Sequence, residues 1–312
     1  MATAFIFPGQ GSQTIGMGRA LAQASPAARA VFEEVDEALG QRLSRLMFEG
    51  PDNELTLTSN AQPAIMAASM AALAVLENDG GFRLADKAML VAGHSLGEYS
   101  ALGAAGVFSL LDTARLLRLR GDAMQAAVPA GEGAMAAILG LDADAIRKAV
   151  AEAAQGEICT CANDNAPGQV VISGHASAVD RAIELAKTAG ARRAMLLNVS
   201  APFHCALMAP AAAAMSGALA AVAMQPPFVP LVANVTAATV VDTNEIRRLL
   251  VEQVTGTVRW RESVEAMVAA GTTHMVEFGA KVLGPMIKRI APDVHCISIL
   301  GPDDVEAVLK QL

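Results

Sequence analysis

The sequence predicts an α/β protein: a mostly parallel sheet covered by helices on both faces, carrying a smaller β-α-β-β-α-β unit as an insert. Three observations predict it. Short apolar runs stopped by Gly or Pro alternate with longer helical segments along the chain. Residues 133–199 read in the ferredoxin-like order on their own. The 312 residues, 53% hydrophobic and 17% charged, suffice for one large domain with an insert. Because only 4% are aromatic, Ala, Leu, Val and Met must fill the interior.

The elements follow in order. Residues 4–7 are an apolar run halted by Pro8-Gly9, hence a buried strand and a loop. Residues 27–39 and 60–77 have helical character, and 88–92 form a second buried strand ending at Gly93. From Leu96 the chain reads as helix, with Arg115, Arg118 and Arg120 in its later turns. Within the insert, 134–139 is a strand, and 142–154 a helix with Asp142 as N-cap and Gly156 as stop. Strands at 157–162 and 169–173 come next, joined through Pro167-Gly168. A helix capped by Ser177 and Asp180 then runs to Gly190, and 194–199 is the last strand. This divides the chain into a core of residues 1–130 and 199–312 and an insert of 131–198. After the insert, 208–224, 244–254 and 260–270 are helices, and 229–233 and 275–278 are strands. No repeats or low-complexity linkers are present.

Composition excludes several classes. A net charge of -8 argues against non-specific nucleic-acid binding, which needs a basic surface. Cys159, Cys161, Cys205 and Cys296 form no CxxC and no zinc-finger spacing with histidine, so they read as free thiols, with no metal. The first seven residues read as a strand, not a signal peptide. The nearest approach to a membrane span is 209–224, which is too short and too weakly apolar.

The strongest chemical signal is Gly93-His94-Ser95-Leu96-Gly97, a GxSxG placed after a strand and before a helix. Glycines there permit a sharp turn that lifts the serine hydroxyl out of the backbone, and the helix N-terminus offers positive potential to an oxyanion. A chance GxSxG at a helix start remains the competing reading. A nucleophilic serine needs a base, and five histidines are available. His94, beside Ser95, reads as packing, and His175 as a surface turn residue. His274 and His295 lie in or near late strands. His204 lies in the Pro-rigidified loop where the core resumes, and the residues alone make it only the best placed of the five.

A wider pattern then becomes specific. Residues 7–13 (FPGQGSQ), 93–99 (GHSLGEY), Arg120-Gly121, 163–169 (NDNAPGQ) and 201–204 (APFH) occur in that order. Asn234-Val235-Thr236, Gln253 with Val258-Arg259-Trp260, and Glu277-Phe278-Gly279 with Val282-Leu283 complete the series. Over nearly the whole chain this resembles the malonyl-CoA:acyl carrier protein transacylase family. The resemblance implies an α/β-hydrolase-like core with a ferredoxin-like insert. It implies Ser95 as nucleophile, His204 as base, Gln253 orienting His204 through its main-chain carbonyl, and the N–H groups of Gln10 and Leu96 as oxyanion hole. Arg120 would hold the malonyl carboxylate; read alone, it is better taken as a solvated helix arginine beside Arg115 and Arg118. Gln62, Asn163 and Phe203 would contribute to substrate binding, with structural hydrogen bonding the alternative for Gln62, Asn163 and Asn234. Two departures stand out: Cys205, where relatives often have serine, and Phe278-Gly279-Ala280, where many have Gly-Pro-Gly.

The resemblance further implies malonyl-CoA and acyl carrier protein as partners, no nucleic acid or membrane, no cofactor, and a monomer in the cytoplasm. Carrier proteins are acidic and so is this chain, so long-range repulsion would slow encounter unless a local basic patch faces the site; Lys281, Lys288, Arg289, Arg192 and Arg193 are candidates, with an ordinary mixed-charge surface the alternative. Three rival readings remain: a serine hydrolase or thioesterase, a relative serving a polyketide or malonate decarboxylase carrier, and a non-catalytic carrier-binding protein.

Overall fold

The computed structural model describes residues 2–199 and 201–312. Its strands, in chain order, are β1 (Thr3–Phe7), β2 (Ala88–Gly93), β3 (Gly133–Leu139), β4 (Cys159–Ala166), β5 (Gln169–His175), β6 (Arg193–Leu196), β7 (Leu231–Val232), β8 (Thr239–Val240), β9 (His274–Phe278) and β10 (His295–Ile299). Two sheets result. The larger has the order β10-β9-β1-β2-β7-β8 and is parallel except for the β7–β8 pair. The smaller has the order β4-β5-β3-β6 and is antiparallel throughout. Its two helices, Ala143–Ala154 and Ala176–Thr188, complete the β-α-β-β-α-β order.

The unbroken apolar run of β1 follows from its position at the centre of the parallel sheet, buried on both faces. Alternate side chains go to opposite cores. Phe5 and Phe7 enter the main cluster, where Phe278 meets them at centroid distances of 5.0 and 5.3 Å. Ala4 and Ile6 face the second cluster, with Trp260, Val264 and Met275. The smaller sheet has its own apolar cluster, built on Ile138, Ile146, Ile172, Val179 and Ile183.

The β1–β2 register decides where chemistry can occur. Phe7 pairs with Gly93, and His94 N–H donates to Phe7 O at 2.9 Å. The loops after both strands therefore leave the sheet side by side, at the carboxyl edge where open α/β sheets bind ligands. The smaller sheet leans over this edge through β4. Asn163 forms a bridge with Val258, Thr257 Oγ1 donates to Cys161 O at 2.7 Å, and Arg261 pairs with Asp164 at 2.8 Å. Arg289 adds two bonds to the β4–β5 turn, to Pro167 O and Gln169 Oε1.

Several expectations need correction. The helix expected from Leu96 is two, Gly97–Ala104 and Leu110–Ala126, parted at Gly106, whose φ is 78°. The Ser177 capping box is absent: the helix starts at Ala176 after His175, and Ser177 Oγ donates to Glu157 instead. β4 runs on to Ala166, so Asn163 lies in a strand and not in a loop. Among the described residues the most membrane-like segment is Thr58–Gly80, not 209–224: its mean hydropathy reaches 1.2 over 18 residues, yet 83% of that stretch is buried inside the protein, which makes it a core helix.

Phe278 ties β9 to β1 through both rings. Phe278→Ala is expected to cost about 3–5 kcal/mol in urea unfolding, because the vacated volume is enclosed and cannot collapse.

Candidate active site

Ser95 stands on the turn between β2 and the Gly97–Ala104 helix with φ 54°, a left-handed conformation that is unfavourable for a residue with a side chain. The flanking glycines allow it by close approach. A Cβ on Gly93 would lie 1.9 Å from the carbonyl of Gly97, and one on Gly97 2.3 Å from Phe7 O. Asn234, on the loop after β7, braces the turn from below. Its Oδ1 accepts from Ser95 N–H at 2.8 Å and its Nδ2 donates to Gly93 O at 2.6 Å. Asn234 therefore holds the turn and does not face substrate.

Three side chains converge at one oxygen. Ser95 Oγ lies 2.8 Å from His204 Nε2 and accepts from Arg120 Nη2 at 3.1 Å. His204 sits in the loop before the short helix Ala206–Met208, also with a left-handed φ, 58°. Its Nδ1 meets the main-chain oxygen of Gln253 at 2.8 Å, so Nδ1 carries the hydrogen and Nε2 is left to accept from the serine. Burial first, and the Arg120 charge second, push His204 down to about 3, which keeps the imidazole neutral near pH 7. Cys205 beside it is buried, its Sγ directed to Pro202 O at 3.1 Å, which makes it a filler that holds the loop.

Arg120 is 1% exposed, far from a solvated helix residue. Gly121 explains how it reaches the site. A Cβ there would lie 2.7 Å from Thr58 O and from Ser59 Cα, so the glycine lets Leu110–Ala126 press onto Thr58–Gly80. Arg120 Nη1 donates to Gln62 Oε1 at 2.9 Å and Nη2 to Gln253 Oε1 at 2.8 Å, while Nε has no partner among the described residues. The guanidinium lies over the Tyr99 ring at 5.7 Å. Gln62 is thus spent on Arg120, its Nε2 turned to Met124 Sδ.

Above this floor lies a cleft of about 420 Å³ between the two sheets, lined by Gln10, Ser95, Asn163, Phe203 and His204 among others. Leu96 is buried just behind Ser95. No acceptor in the protein takes the main-chain N–H of Gln10 or Leu96 among the described residues. Sequence reasoning missed two groups. His94 Nε2 lies 2.8 Å from Asn165 Oδ1 and so ties the Ser95 turn to β4. Glu98, buried at 1% exposure, bonds Gln253 Nε2 at 2.5 Å and Asn234 N–H at 3.3 Å. An acidic residue in a helix's first turn is ordinary, so only its contacts reveal it. The basic candidates are scattered: Lys281 and Lys288 are exposed and line a separate depression with Pro285 and Asp304, whereas Arg289 is engaged with the β4–β5 turn.

The chain has known relatives. Residues 4–283 match the acyl transferase domain family. The malonyl CoA-acyl carrier protein transacylase of Bacillus subtilis (strain 168) is 45% identical over 99% of this chain and 96% of its own. An acyl-carrier-protein-S-malonyltransferase from Bartonella henselae has a crystal structure that superposes with TM-score 0.98, at 54% identity over 100% of this chain and 99% of that one. A type II PKS acyl-carrier protein in complex with its malonyl-transacylase matches with TM-score 0.97 and 42% identity, covering 100% of both chains. The chain belongs to the malonyl-CoA:acyl carrier protein transacylase family of acyl transferases.

Gly121→Ala is expected to destabilise by about 1–3 kcal/mol, because the new methyl meets backbone on the facing helix. Gly217→Ala, in the helix Ala209–Ala221 with nothing within 4 Å, is expected to stabilise by up to ~1 kcal/mol. Paired urea titrations check both.

Proposed function

We propose that this protein transfers a malonyl group from malonyl-CoA to the phosphopantetheine thiol of an acyl carrier protein, through an ester on Ser95. The observation that carries the reading is the meeting of a neutral imidazole and a buried guanidinium at Ser95 Oγ. A hydrolase acting on neutral esters has no use for that guanidinium. A malonyl group, with a thioester carbonyl at one end and a carboxylate at the other, uses both.

In the first half-reaction, His204 Nε2 takes the hydroxyl proton as Ser95 Oγ attacks the thioester carbon. The main-chain N–H groups of Gln10 and Leu96 receive the developing oxyanion; a donor of this kind is worth about 2.7–4 kcal/mol. The C–S bond breaks, His204 returns the proton to sulfur, and coenzyme A leaves as a thiol. In the second half-reaction the carrier thiol attacks the ester, His204 moves its proton to Ser95 Oγ, and the malonyl thioester departs. Arg120 grips the malonyl carboxylate, and Asn163 and Phe203 wall the cleft around it. The carboxylate also offsets the Arg120 charge that disfavours protonated His204, so the right substrate makes the base stronger. On this reading the protein works as a monomer in the cytoplasm, and no metal or resident cofactor is needed, because Arg120 and the two N–H groups supply the charge stabilisation.

The acidic carrier must approach a chain of net charge -8. Lys281 and Lys288, exposed and flanking in sequence the cleft-lining Val282, Leu283 and Met286, are the docking candidates; Arg289→Glu would break the bonds to the β4–β5 turn as well, so Lys288→Glu alone is the cleaner probe. The match to a transacylase solved with a type II PKS acyl-carrier protein supports a second reading, in which the acceptor belongs to polyketide synthesis. Transfer rates to carriers of the two kinds decide between them.

Intact mass after incubation with malonyl-CoA, without carrier, tests the reading. A malonyl adduct on the wild type and none on Ser95→Ala is expected, and the adduct should leave when carrier is added. Coenzyme A release without an adduct would favour hydrolysis, and neither adduct nor release would refute catalysis. Arg120→Ala is expected to lower the preference for malonyl-CoA over acetyl-CoA by about 10²–10³-fold, since acetyl never pairs the guanidinium.

A further inference from the structure

The catalytic steps above leave the buried carboxylate under the Ser95 turn without a task. Glu98 lies under the Ser95 turn at 1% exposure. Both groups that bond it are N–H donors, Gln253 Nε2 at 2.5 Å and Asn234 N–H at 3.3 Å, an environment suited to an ionised carboxylate. The Gln253 carboxamide presents its nitrogen to Glu98 and its oxygen to Arg120, so one amide dipole links an anion to a cation. No carboxylate bonds Arg120 directly among the described residues; its partners are two amide oxygens and the Ser95 hydroxyl.

The other ionisable groups around this floor are Tyr99 on Glu98's own helix, His204 on its loop, and His94 on the turn. Burial pushes the Tyr99 hydroxyl up and both imidazoles down, so each is neutral near pH 7. Arg120 and Glu98 therefore balance each other. A malonyl carboxylate arriving at Arg120 would leave one cation facing two anions among buried groups, a state that buried sites avoid by neutralising one group.

We propose that Glu98 is the exchangeable counter-charge of Arg120: it takes a proton from solvent when a malonyl carboxylate pairs with Arg120 and gives it back when the malonyl group leaves. This rests on the malonyl reading above. Burial already raises Glu98 to about 7, so protonation lies within reach near neutral pH. The sign is fixed. Above about pH 7 Glu98 is ionised in the free protein, and a second anion raises it further, so malonyl-serine formation consumes protons there. Well below that pH both forms are protonated and the uptake vanishes. By linkage, acylation by malonyl weakens as pH rises, and acylation by acetyl lacks this dependence.

The half-reaction itself is proton-neutral, since the serine proton leaves on the coenzyme A thiol. The test is proton uptake at pH 7.5, read with an indicator dye in weak buffer while wild-type protein reacts with malonyl-CoA, esters being counted by intact mass. Roughly half a proton or more per malonyl ester is expected, with none for acetyl-CoA and none for malonyl-CoA with Glu98→Gln. Should the Gln variant fail to fold, wild type at pH 5.5 replaces it and should show no uptake. A malonyl ester formed without malonyl-specific uptake overturns the proposal alone, as does undiminished uptake by Glu98→Gln. Failure to form the ester overturns the malonyl reading, and this proposal with it.

Discussion

A guanidinium held out of water is the constraint around which this molecule is arranged. Arg120 keeps its charge in any protein environment, so the fold must satisfy it. Gln62 and Gln253 each turn an amide oxygen to it and Ser95 lends its hydroxyl. Gln253 does more than any other residue. Its main-chain oxygen fixes the His204 tautomer, its side-chain oxygen holds Arg120, and its nitrogen reaches both Ser95 O and Glu98. One residue of the helix Thr243–Thr255 thus sets the mutual positions of proposed nucleophile, base and carboxylate anchor. Burial makes these bonds count, since each lost partner would leave a charged or polar group unsatisfied.

The sheet makes that arrangement possible by geometry of backbone. β1 and β2 end together, and glycines at 93 and 97 let the Ser95 turn fold tightly against the end of β1. Both Ser95 and His204 occupy left-handed conformations that cost free energy locally. The surrounding structure over-determines them: Asn234 clamps the first from two sides, and the Gln253 carbonyl with the Cys205–Pro202 bond holds the second. The smaller sheet contributes a wall and not the reacting groups, through Asn163 and the His94–Asn165 bond.

Much of this was legible in the sequence, for physical reasons that differ by element. β1 and β2 could be read because burial on both faces demands unbroken apolar runs, and β3 to β6 because turn residues punctuate them. β8, two residues long, and β10, only half-buried, carry no such signature. Gly106 separates two helices whose combined apolar pattern reads as one. At the site, Ser95 announced itself through spacing, whereas His204 was one of five histidines until the wider resemblance singled it out. Glu98, Asn165 and the double use of Gln253 were hidden because their roles depend on contacts across 49 to 158 residues of chain. Ser177 misled because a hydroxyl at a helix start suits a cap and a surface bond equally well, and here Glu157 takes it.

The most direct measurement is the single-turnover acylation of Gln253→Ala by malonyl-CoA and by acetyl-CoA, compared with wild type. Removing the side chain takes one of its two amide oxygens from Arg120 but leaves the main-chain oxygen that orients His204. The account predicts that malonyl acylation falls at least about ten-fold more than acetyl acylation. Equal losses for the two substrates, or an unchanged preference, would contradict the claim that Gln253 holds the carboxylate anchor in register with the nucleophile.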